Sequence, residues 1–109
     1  MSLKDYIKKS DEIKRKDSCW ISTYLGDEGE ITCEKYIGEE IIKGQFGDQV
    51  VITVMADGKE MKLGRPFPLS SQSTKFFEEL EKIKDNPPFI IVKKTNQLGR
   101  PEYFAKPAK

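Results

Sequence analysis

The side chains in this sequence whose types and spacing could do chemistry are aromatic rings interleaved with bases. Trp20, Tyr24, Tyr36, Phe46, Phe67, Tyr103 and Phe104 offer flat faces, and Lys43, Lys59, Lys62, Arg65, Lys93, Lys94 and Arg100 stand near them along the chain. Rings of this kind stack on unpaired bases at about 1–3 kcal/mol per base, while Lys and Arg track the phosphates. The pattern is one for gripping a single strand. Each ring also has a structural use. Trp20 could be the central ring of a small core. Tyr103 and Phe104 are neighbours on a strand and face opposite ways, so one of them must turn inward. Tyr is the better stacker at a wet surface, because its hydroxyl tolerates water. Phe46 sits in a glycine-flanked loop and is hard to bury.

Catalysis lacks its parts. The chain has no histidine, so Ser–His and Cys–His nucleophile pairs are unavailable. Glu39 and Glu40 are adjacent in an extended run and point to opposite faces, which prevents a close carboxylate dyad. The Gly44-Gln-Phe-Gly47 run is too short to be a phosphate loop. Two cysteines, Cys19 and Cys33, are too few for a disulfide framework or a zinc site. They are expected as free thiols packed as small hydrophobes. The expectation is a binding protein rather than an enzyme, with no cofactor and no metal.

The chain is 109 residues long with a net charge of +1, but the charge is unevenly spread. Residues 26–40 hold Asp27, Glu28, Glu30, Glu34, Glu39 and Glu40 against Lys35 alone, and residues 89–109 hold Lys93, Lys94, Arg100, Lys106 and Lys109 against Glu102 alone. That asymmetry predicts one acidic and one basic face. The length suits one domain. No apolar run approaches a membrane span, and the N-terminus has no signal-peptide core, so a cytoplasmic protein with reduced thiols is expected.

The elements that must position these residues follow from periodicity. Residues 1–17 read as a charged arm or weak helix, and residues 18–109 as the folded domain. Residues 19–25, Cys-Trp-Ile-Ser-Thr-Tyr-Leu, have the aromatic and β-branched content of a strand, and residues 31–42 resume an extended pattern. Residues 49–55 alternate clearly. Asp57-Gly58 after them is a strong hairpin signal, because both residues tolerate positive φ, and the return strand covers residues 60–63, extending toward 69. Residues 71–84 predict a helix opened by a Ser cap, with Phe76 or Phe77 and Leu80 in the core. Residues 89–95 read as a strand buried on both faces, and residues 102–106 as the last strand.

A meander, one capped helix and a closing strand pair is the layout of the OB-fold, in which the helix follows the third strand. Residues 36–108 also resemble the small single-stranded DNA-binding proteins of phages, archaeal viruses and archaea. The Asp57-Gly-Lys hairpin, Leu69-Ser-Ser and the closing Ile90-Ile-Val-Lys-Lys and Gly99-Arg-Pro-Glu-Tyr-Phe runs carry that resemblance. The chain has no Gly/Pro-rich tail with an acidic tip of the bacterial type. The resemblance implies a mainly β fold, a five- to six-stranded antiparallel OB-type barrel with one capping helix. It implies sequence-tolerant binding of single-stranded DNA, or RNA, by a replication, recombination or repair accessory protein, in the cytoplasm (of the host, for a virus). A homodimer is compatible with it. The expected interface is Phe46, Lys59, Lys62, Arg65, Lys93, Lys94, Arg100 and Tyr103, with Trp20 and Tyr36, and the acidic 26–40 stretch lying elsewhere. The rival reading is a small β-barrel protein–protein module, with the acidic stretch as its contact.

Overall fold

The computed structural model describes residues 2–45 and 47–108; for residues 11–17 it describes the backbone alone. The charged N-terminal stretch forms a full helix, α1 (Leu3–Asp17), longer than the weak helix expected. It contains no Gly or Pro and is rich in Lys and Glu/Asp, so nothing local interrupts it. Leu3, Tyr6 and Ile7 remain exposed.

Residues 19–25 overturn their expectation. They are not a strand: Trp20 makes a single parallel bridge to Lys62, and the rest is a short helix, α2 (Ile21–Leu25). Propensity is overridden by tertiary contacts. Ile21 is completely buried, the Tyr24 hydroxyl donates to Asp57, and Lys93 Nζ caps the helix end by donating to Ser22 O at 3.1 Å and Gly26 O at 2.7 Å. Gly26, at φ 71°, turns the chain out of the helix.

Six strands follow: β1 (Gly29–Cys33), β2 (Lys35–Gly44), β3 (Gly47–Ala56), β4 (Lys59–Phe67), then, after helix α3 (Ser71–Ile83), β5 (Phe89–Thr95) and β6 (Pro101–Pro107). They form two antiparallel three-stranded sheets, ordered β1-β5-β6 and β2-β3-β4. β1 and β2 are separated by Glu34 alone, whose N–H donates to Met55 O, so one bent run serves both sheets. The Asp57-Gly58 turn is present as expected, with Ala56 opposite Lys59 and φ of 52° and 75° at the turn residues. Both signs match the hairpin turn that suits twisted strands.

α3 starts where Ser70 Oγ accepts from the Ser73 N–H. Its Phe76 and Leu80 join Ile31, Ile52, Val54, Met61, Leu63, Phe89 and Ile91 in one core. β5 alternates, with Phe89 and Ile91 buried and Ile90 and Val92 partly exposed, so it is buried on one face and not on both. Among the described strands no pairing joins β4 to β6, and the two sheets do not close into a barrel. The reason is visible at both edges. The Lys62 N–H on the outer side of β4 donates to Cys19 O at 2.7 Å. On the outer side of β6 the Gln72 amide takes both backbone groups of Tyr103. The groups that closure would pair are already satisfied.

Candidate nucleic-acid interface

A groove of about 460 Å³ lies where the two sheets part. Arg65 and Pro66 of β4, Pro68 and Ser70 before α3, Gln72 and Ser73 in its first turn, and Asn96, Arg100, Pro101 and Glu102 around the β5–β6 loop line it. Arg65 reaches it because alternate residues of β4 face inward: Met61 and Leu63 are buried, and Arg65 continues their row at the open end. There its Nε donates to Ser73 Oγ at 3.1 Å and its guanidinium carbon lies 4.9 Å from the Tyr103 ring centroid. A planar guanidinium on a ring and tethered at Nε is held in one orientation, which lowers the ordering cost of a bidentate contact.

Arg100 arrives from the other wall. Asn96 builds its loop: Asn96 Oδ1 accepts from Leu98 N at 2.8 Å and Arg100 N at 3.0 Å, and Gly99 takes φ 78°. An Asn side chain standing in for backbone is a common way to fix such a turn. Among the described residues neither arginine has an ion-pair partner; the two ion pairs are Lys84–Glu81 and Lys106–Glu30.

Trp20 is 39% exposed. Its bridge to Lys62 sets the two side chains on one face of the β3–β4 sheet, because bridge partners share a face. This face is the outer one, since Met61 and Leu63 on either side of Lys62 are buried.

The other expected interface residues divide. Tyr103 is a correction: it is 1% exposed, packed 6.1 Å from Phe76, and cannot stack on a base. Burial pushes its phenol up, against the pull of Arg65 and a hydrogen bond with Ser22. Phe104 is the outward member of that pair, under Lys94 Nζ at 5.9 Å, on the outer face of the β1-β5-β6 sheet. Lys94 is exposed. Lys93 is spent on the α2 carbonyls and is withdrawn from the interface. Lys59 is half-buried, bonds Ser18 O at 3.4 Å and lies 5.4 Å from the Tyr24 ring, so it secures the N-terminal segment. Tyr36 is a further correction. It is half-buried at a separate cavity of about 240 Å³ beneath α3, beside Glu39 and Glu81. Burial first, then its bond to Glu39, raise its phenol. Phe46 lies outside the described residues. Cys33 is buried, but Cys19 is exposed rather than packed. The acidic stretch is not wholly remote, because Glu28 Oε2 accepts from Thr95 N at 3.2 Å at the root of the Arg100 loop.

Gln72, Ser73 and Asn96 were not singled out from the sequence. Asn96 had a signal, the Asn-Gln-Leu-Gly run of a tight loop. Gln72 had none, since its role exists only once β6 lies beside α3. Among the described residues no group of three or more His, Cys, Asp or Glu could hold a metal ion, and no helix is long and apolar enough to cross a membrane. Compared with protein-family models, with curated proteins and with solved structures, the chain finds no match.

Proposed function

We propose that this chain is an open OB-type domain that binds single-stranded DNA without catalysis, as an accessory of replication, recombination or repair. The connectivity supports the fold assignment. The bent β1–β2 run pairs with β5 on one side and β3 on the other, giving the order β6-β5-β1/β2-β3-β4, with α3 entering between β4 and β5. That order agrees with the OB connectivity in a partly open form, which supports the reading. In that form the ligand lies across the second and third strands and under the loop joining the last two, here β3, β4 and residues 96–100.

The observation that carries the function is the pair Arg65 and Arg100. They come from distant parts of the chain, line one groove and are free of ion pairs with described residues. Unpaired guanidinium groups suit phosphates, and Trp20 beside Lys62, on the outer face of β4 rather than in the groove, offers a ring for a base of a strand that crosses that edge. The test is anisotropy of a labelled oligothymidine at two salt concentrations, with an oligouridine arm to separate DNA from RNA. Trp20→Ala is expected to lose about 1–3 kcal/mol of binding. Arg100→Ala is expected to lower the salt slope by roughly one. A wild-type protein that does not bind at low salt overturns the function in favour of a protein partner. Folded variants that bind like wild type overturn the site.

A further inference from the structure

We infer that two copies of this chain pair through the outer edge of β2, antiparallel and centred on Ile41. The inference does not depend on nucleic-acid binding. β2 pairs with β3 on one side, and among the described residues nothing hydrogen-bonds its other side. Two of the other three sheet edges are guarded, and the third, β1, is only five residues long. β4 is covered at Lys62 by residue 19 and carries Pro66, which has no N–H. β6 is held by Gln72 at Tyr103 and flanked by Pro101 and Pro107. β2 has no proline, runs for ten residues and exposes Ile41 at 56% and Ile42 at 41%. A long, apolar, uncovered edge is a template for another strand.

The occupant follows from which groups are free and which charges they carry. Gly44 faces Gly47 at the hairpin end, and in a two-residue hairpin the closing pair exchanges its hydrogen bonds. Alternate residues Ile42, Glu40 and Gly38 then bond to β3. Lys43, Ile41 and Glu39 aim their N–H and C=O at the open edge. A second β2 laid antiparallel with Ile41 opposite Ile41 uses all three residues in bonded pairs. It sets Glu39 opposite Lys43 at both ends, on the same sheet face, and joins the two isoleucines at the dyad. Shifting the centre to Glu40 brings two carboxylates face to face, and shifting it to Ile42 places Lys43 against Ile41. Opposite charges directly across a strand pair stabilise it, and like charges oppose it. The strand is therefore complementary to itself in one register.

Sedimentation equilibrium of the whole chain, without oligonucleotide, tests this. The wild type is expected at twice its 12.5 kDa mass at tens of micromolar. Ile41→Lys, at an exposed position, is expected to be monomeric at the same concentration with an unchanged circular dichroism spectrum. E39K and K43E alone each set like charges at both ends and are expected to weaken the dimer at least tenfold. The double variant E39K/K43E restores the pairs and is expected to recover it. A monomeric wild type, a dimer indifferent to Ile41→Lys, or a double variant no better than the singles overturns the inference. Loss of oligothymidine binding in Ile41→Lys with no change in mass also overturns it, and assigns the edge to nucleic acid.

Discussion

The groove at the parting of the sheets and the open edge of β2 are both unfilled surfaces, and they are built in opposite ways. The groove is assembled from β4, α3 and the β5–β6 loop. Its bases are fixed by Ser73, by the Tyr103 ring and by the Asn96 turn. The edge is one contiguous strand whose free groups are backbone and whose exposed side chains are largely isoleucine and glutamate. The contrast teaches where each property resides. A groove with two oriented arginines needs tertiary preorganisation, with its ordering cost met in folding. Pairing needs only a strand left without a partner.

The sharpest way to break that comparison is at Tyr103, which supports the groove from within the core. Tyr103→Ala is expected to destabilise the fold by about 3–5 kcal/mol, as removal of a buried ring does. At a concentration low enough for the chain to be monomeric, an exposed change at the β2 edge such as Ile41→Ser should stay within about 0.5 kcal/mol. Urea denaturation of both variants measures the difference, and near-equal losses would erase the distinction. Gln72 is the next probe. Gln72→Leu removes the amide that serves Tyr103 N and O, leaving partly buried backbone groups unpaired, and is expected to cost about 1–3 kcal/mol in the same assay. A neutral result would mean that water serves that edge equally well.

The smallest effect concerns the thiols. Cys33 is fully buried, and desolvation first, then Asp57, push its thiol up to about 12 from an ordinary value of 9.0. Folding therefore keeps a proton that the unfolded chain releases. The stabilisation linked to it is complete below about pH 9 and is lost as pH rises toward about 12. Cys33→Ala should flatten that part of the stability–pH curve relative to wild type. In the native protein a maleimide should label Cys19, which is exposed, and reach Cys33 only on unfolding. Equal labelling of both thiols would contradict the buried packing of β1.

Local signals were legible in the sequence. The 49–55 alternation, the Asp57-Gly58 turn and the Ser70 cap all stand where short-range chemistry put them. What could not be read depends on packing. Alternation says that Tyr103 and Phe104 face opposite ways, but which one faces in is decided by α3, whose Phe76 lies against Tyr103. The 19–25 run has strand-forming residues, yet it becomes a helix because distant Lys93 and Asp57 satisfy its end and its Tyr24. Sequence alone casts Lys93 as a phosphate ligand for the same reason, since its partners lie 71 and 67 residues away in sequence. Barrel closure was expected from element order alone, which carries no information about the side chains that occupy the edges.

The prolines on β4 and β6 bear on how far assembly can go. A molecule with two open, unlike strand edges can add copies head to tail without limit and grow into a filament. Pro66, Pro101 and Pro107 withdraw N–H groups from two of the edges here, and Cys19 O and the Gln72 amide occupy others. β2 is then left to pair with its own kind, by a two-fold operation that uses up the edge on both molecules at once. Growth by that route ends at two subunits, because the completed particle presents no second open edge of the same kind to a third.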